Sequence, residues 1–146
     1  MRAKLLNADP PYTYAIALDP GEEVMETLTR FVREKEIDAG SVTAIGGFER
    51  CVVGHFEWES KQYKKIPVDG QVEVLSLIGD VAATSGTPGI HLHAVLGRSD
   101  ASVVGGHLMQ AWVRPTLEVI LIEPPSYLRK QHDPVTGLAL IATDRP

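Results

Sequence analysis

The chain of 146 residues has a single cysteine, Cys51. One thiol excludes an internal disulfide framework and any Cys-rich zinc module. No stretch approaches the roughly 18 consecutive apolar residues of a membrane span. The opening residues Met1–Asp9 hold too short an apolar run for a secretory leader, so the expected compartment is the cytoplasm. Positive charge is in deficit: 14 Lys and Arg against 19 Asp and Glu leave a net charge of −5. That balance argues against broad binding to a phosphate backbone, which draws on clustered Lys and Arg. The sequence also lacks a Gly-rich phosphate loop and a Gly-x-Ser-x-Gly nucleophile turn. Repeats, low-complexity segments and interdomain linkers are missing too, so a single domain over residues 1–146 is expected, with its core at about 12–124.

What is present has two periods. Tyr12–Leu18 is rich in β-formers and reads as a strand. Asp19-Pro20-Gly21-Glu22 reads as a helix start, with Asp19 at the N-cap, Pro20 in the first turn and Glu22 three residues on. Val24, Leu28, Phe31 and Val32 then recur at helical spacing, which predicts a long helix to about Glu36 or Ile37, with Gly40 as terminator. Beyond it the period is two. Strands are expected at 41–45, 51–58, 72–78, 90–96, 103–109 and 117–122, with turns at Gly46-Gly47, Asp69-Gly70, Ser85-Gly86, Pro88-Gly89, Ser99-Asp100 and Pro124-Pro125. Connections this short cannot carry crossover helices, so the pairing should be mainly antiparallel. The basic run Lys61–Lys65 reads as a solvated turn. A second short helix is expected at Ser126–Gln131, and Leu138–Ile141 reads as an edge strand or docking segment. The fold class is α+β.

The distribution of histidine is uneven. Three of five, His91, His93 and His107, fall within 17 residues. On a strand, residues two apart share a face, so His91 and His93 project together while Leu92 points into the core. If the turn to the next strand is odd in length and centred on Asp100, paired positions sum to 200 and His93 lies opposite His107. Directly opposed Cβ atoms are roughly 4.5–5.5 Å apart. Three imidazoles so placed can converge on one ion with nitrogen–metal distances of about 2.0–2.1 Å. A turn of even length would instead send His107 to the other face. Neutral imidazoles suit zinc, nickel, iron or copper better than magnesium or calcium, and zinc is the first expectation. Three protein ligands also leave a coordination position open.

Glu118 lies in an apolar strand, on the face of Ile120 and Ile122. It is a candidate for orienting a metal-bound imidazole or for acting as a general base. His55 has nothing in sequence to bring it to the cluster and reads as structural. Cys51 has no basic neighbour to activate it.

The blocks Gly89–Gly97, Val103–Leu108 and Thr116–Ile120, together with Ser41–Phe48 and Val72–Asp80, resemble the prokaryotic branch of the PPC (plants and prokaryotes conserved) domain over roughly residues 12–124. The resemblance implies an α+β domain with a mainly antiparallel sheet, assembling as a homotrimer. It matches His91, His93 and His107 to positions able to hold a metal ion. It also brings a DNA-binding label, from plant members in which an AT-hook precedes the domain. This sequence has no Arg-Gly-Arg run, and Arg98–Ser102 stands where an Asp-Gly-type turn is usual. The expected role is therefore regulatory or small-molecule binding, with direct DNA contact disfavoured by the acidic charge. The alternative is a small metal-dependent hydrolase or lyase that uses the open position, with Glu118 as helper.

Overall fold

The computed structural model describes residues 1–7, 9–124 and 129–142. Its strands are β1 (Arg2–Asn7), β2 (Tyr12–Leu18), β3 (Ala39–Glu57), β4 (Gln62–Val68), β5 (Val72–Thr84), β6 (Thr87–Gly97), β7 (Val103–Glu123), β8 (Arg129–His132) and β9 (Ala139–Ile141), with one helix, α1 (Val24–Glu34), between β2 and β3. All nine strands belong to one sheet. Every pairing is antiparallel except the short one between β5 and β8.

The helix is shorter than its sequence pattern predicts, for local reasons at both ends. The capping hydrogen bond from Asp19 N–H to the Glu22 carboxylate does form, at 2.8 Å. Gly21, however, has φ +84° and donates to the Val113 carbonyl, which closes these residues as a turn against β7. Glu23 is the actual N-cap. One of its carboxylate oxygens accepts from Glu26 N–H at 2.6 Å and the other from Ala111 N–H at 2.9 Å. At the other end Glu36 takes φ +55°, while the N–H groups of Glu36 and Ile37 donate to the carbonyls of Arg33 and Val32. This is a Schellman ending with Ile37 buried behind it, so Gly40 belongs to β3 and terminates nothing.

Four further expectations are corrected. Gly46-Gly47 is no turn: β3 runs through it, because a Cβ at Gly46 would sit 2.2 Å from the Thr116 carbonyl oxygen and one at Gly47 2.4 Å from that of Arg114. These glycines serve a close approach of β7. Pro88-Gly89 lies inside β6. The basic run is mostly strand β4, paired to β3 with Lys64 opposite His55. Of the second helix expected at 126–131, residues 126–128 lie outside the described residues and 129–131 are strand. The strand β1, which adds to β2 at the sheet's end, was not expected at all. Leu138–Ile141 does supply an outer strand, β9.

The core lies between α1 and the sheet. Val24, Leu28, Phe31 and Val32 of the helix meet Ile16, Phe48, Leu77, Leu92, Leu108 and Leu117, and Tyr14 packs edge-on to Phe31 at 5.6 Å. Phe48 is fully buried. Phe48→Ala should cost about 3–5 kcal/mol, read as a lowered midpoint in urea denaturation. Strands β3, β5, β6 and β7 pair in a closed circuit, β7 to β3, β3 to β5, β5 to β6 and β6 back to β7. That closure fixes the register of β6 from both sides.

Candidate metal centre

Five residues, 98–102, join β6 to β7. Two backbone bonds, Arg98 N–H to the Ser102 carbonyl and Ala101 N–H to the Arg98 carbonyl, fold this loop tightly. Asp100 accepts from Ser102 N–H at 2.9 Å. The loop is odd in length, so His93 pairs with His107. Leu92, the residue between the two β6 histidines, is fully buried. The three rings therefore gather on the outward face, with centroids 5.0–5.3 Å apart.

One nitrogen from each ring lies within 4.8 Å of the others. His91 Nε2 and His93 Nε2 are 3.1 Å apart. Two nitrogens bound tetrahedrally at about 2.0–2.1 Å would be separated by roughly 3.3 Å, so this pair already has the spacing of ligands. His107 Nδ1 is buried with no hydrogen-bond partner among the described residues. The donor set of three imidazoles fits a divalent transition metal.

Two supporting residues escape a sequence reading. Ser85 and Gly86, with φ +50° and +78°, form a two-residue turn that sets Asp80 of β5 opposite His91. The Asp80 carboxylate approaches His91 Nδ1 at 3.4 Å through one oxygen and Lys130 Nζ at 2.6 Å through the other. Lys130 comes from β8 and is 10% exposed. Burial alone would raise the Asp80 carboxyl, but hydrogen bonds from His91 and Lys130 and their charges hold it below its ordinary value. With Nδ1–H of His91 turned toward Asp80, Nε2 is left bare on the side of His93. Asp80→Asn should weaken the affinity of the three-histidine cluster for an added divalent transition metal by roughly 10–100-fold, measured by competition with a chromophoric chelator.

On the far side, Tyr63 stacks on His107 with centroids 4.5 Å apart. Gly54 makes room, since a Cβ there would be 2.9 Å from the tyrosine ring. Burial first, then the His91 and His93 rings and the Lys130 ammonium, push His107 down to about 4. Burial and the His91 ring also lower His93. Both rings are thus held in the neutral form that ligates. In chelator-treated protein His107 should make stability depend on pH. Its folded value of about 4 lies below the ordinary 6.5, so the unfolded chain binds the extra proton. The contribution is complete above pH 6.5 and is lost as pH falls toward 4. Denaturation at pH 7.5 and pH 5 should show a larger drop for the parent than for His107→Gln.

The other candidates stand apart. Glu118 is exposed on β7, paired to Ala17 and Ile45, in a groove with Arg2, Lys4 and Ile120. It is not among the residues around the histidines. His55 is exposed opposite Lys64. Cys51 is buried, and burial pushes its thiol up to about 11, which makes it inert.

Comparison with known proteins places this geometry among relatives. The family model of the Plants and Prokaryotes Conserved (PCC) domain matches residues 7–125. A plant- and prokaryote-conserved protein from Pyrococcus horikoshii is 30% identical with a TM-score of 0.85, covering 99% of this chain and 97% of its own. A metal-containing protein from Archaeoglobus fulgidus is 30% identical with a TM-score of 0.82, covering 97% and 96%. A candidate DNA-binding protein from Bacteroides thetaiotaomicron is 25% identical with a TM-score of 0.88, covering 95% and 96%. A curated relative from Synechococcus, the bifunctional protein GlmU, is 28% identical over 85% of this chain, which spans only 19% of that protein's length. The family model covers most of the sequence and a 30% identical relative matches both chains almost throughout: this chain belongs to the Plants and Prokaryotes Conserved domain family.

Proposed function

We propose that this protein is a homotrimeric, metal-binding member of its family, with His91, His93 and His107 holding one zinc ion in a regulatory or small-molecule-binding role. The observation that carries the reading is the convergence of three ring nitrogens within 4.8 Å on one face of a hairpin. A metal-containing relative with nearly complete overlap supports it. Elemental analysis of protein purified without a polyhistidine tag should find about one zinc per chain. A content below roughly a tenth, after incubation with zinc, would overturn the reading.

The trimer has its support in an apolar stretch of the outward face. Ile45, Ile78, Ile120 and Ile122 are 39–60% exposed there. Thr43 pairs with both Ile78 and Ile120, so two of them flank one residue. An apolar patch of this kind is usually covered by association. Light scattering should give three times 15.9 kDa. Duplex DNA is a poorer partner despite the description of one relative, because the net charge is −5. A gel shift at low salt should show no retardation.

The open coordination position supports a second reading, a metal-dependent hydrolase or lyase. There the ion would activate a bound water. Glu118 lies in another groove, so such an enzyme would draw its proton-transfer group from elsewhere.

A further inference from the structure

A cleft of about 280 Å³ opens directly beside the histidines, between β6 and the β8–β9 hairpin. His91, His107 and Lys130 line it together with apolar side chains that include Ile90, Leu138 and Leu140. We propose that this cleft binds a small aliphatic carboxylate, with one carboxylate oxygen at the coordination position the three histidines leave open and the alkyl chain against Ile90, Leu138 and Leu140. The proposal rests on the metal-binding reading and extends it to a ligand class.

Charge decides the sign of the ligand. Asp80 and Lys130 face each other at 2.6 Å and cancel. Three neutral imidazoles add nothing, so the dication is uncompensated in a cleft whose described lining contains no acidic residue. An ammonium has three donors and Asp80 takes one, which leaves Lys130 able to face a second anion. Size and surface decide the rest. The volume lies at the small end of ligand pockets, too small for a nucleotide or a peptide segment. Leu140 stands 44% exposed at the cleft's edge, apolar surface that an alkyl chain would cover and that a bare phosphate would not. A single ammonium also offers less to a phosphate dianion than the forked guanidinium groups that usually recognise one.

Cobalt-loaded protein, titrated while its visible absorption is followed, tests this. Isovalerate should perturb the cobalt bands and bind at least tenfold tighter than acetate, since each buried methylene is worth roughly fourfold in affinity. The neutral analogue isovaleramide should bind at least tenfold weaker than isovalerate. Leu140→Asn, which removes the apolar contact without adding charge, should lose about tenfold for isovalerate with cobalt content and acetate affinity unchanged. Equal binding of the amide, equal binding of acetate, or tighter binding of inorganic phosphate would each overturn the ligand class. Protein that takes up cobalt but answers none of these ligands would overturn the cleft alone. Protein that takes up no cobalt fails at the first step and overturns the metal reading beneath it.

Discussion

Replacing His91 and His93 together with alanine is expected to abolish zinc binding while leaving the fold intact. A four-ligand structural zinc site is worth about 10–16 kcal/mol, or roughly 3 kcal/mol for each ligand. Losing two ligands, about 6 kcal/mol, should therefore weaken affinity by about 10⁴-fold or more. The fold should survive because both side chains project from the outward face of β6, while its packing comes from Leu92, Ala94 and Leu96 on the other. Outward-facing substitutions of this kind usually stay within about 0.5 kcal/mol, so the variant should unfold at nearly the urea midpoint of the chelator-treated parent and below that of the zinc-loaded parent, which bound metal stabilises. Elemental analysis and calorimetric titration give the affinity, and circular dichroism the fold. Equal zinc content in variant and parent would sink the three-histidine site.

The same residues show how far a sequence reading reaches. The His93–His107 pairing was legible because it depends on one local quantity, the length of the loop around Asp100, and both strands keep period two beside it. The Asp80–His91 pairing depends on an equally local quantity, the two-residue turn at Ser85-Gly86. It could have been found by the same arithmetic, had Pro88-Gly89 not offered a competing turn signal. Lys130 could not. It reaches Asp80 through a parallel pairing of β8 to β5 that spans 46 positions in sequence, and no periodicity records such a contact.

Errors in the fold have physical causes of the same kind. Glycine pairs mark turns when the chain needs positive φ, and they also mark places where another backbone comes too near for a side chain. Gly46-Gly47 is the second case, with β7 as the neighbour. The Asp19–Glu22 pattern does form its capping hydrogen bond but starts no helix, because Gly21 turns back to Val113 before the first helical turn begins. Lys64 and Lys65 hid β4, which lies outside the main path of the sheet, pairs among the described residues only with β3, and exposes both lysines to water. Charged edge residues are how sheets discourage further pairing. Glu118 does share the outward face with Ile120 and Ile122, but that face extends the whole length of β7 and His107 lies toward its other end.

Gly79 carries the second large effect, and it connects the fold to the site. It pairs with Leu92 in the β5–β6 ladder, one residue from Asp80 and opposite the strand that bears His91 and His93. A Cβ at this position would lie 1.9 Å from the His91 carbonyl oxygen and 2.8 Å from Leu92 Cδ2. The first contact is with sheet backbone, which no rotamer change can relieve. The ladder must open locally, which moves Asp80 and His91 apart. Gly79→Val should cost about 3 kcal/mol or more, a fall of roughly 6–12 °C in Tm for a domain of this size. Zinc affinity should fall with it, although no ligand has been replaced, when both proteins are titrated well below their Tm. Gly70→Ala is the control. Its φ of +82° costs about 1 kcal/mol through backbone strain, but a Cβ there meets nothing within 4 Å and zinc affinity should not change. Were Gly79→Val to lose stability and keep full zinc affinity, the ladder would not be what holds His91 in place. The burden would then fall on Asp80 and Lys130.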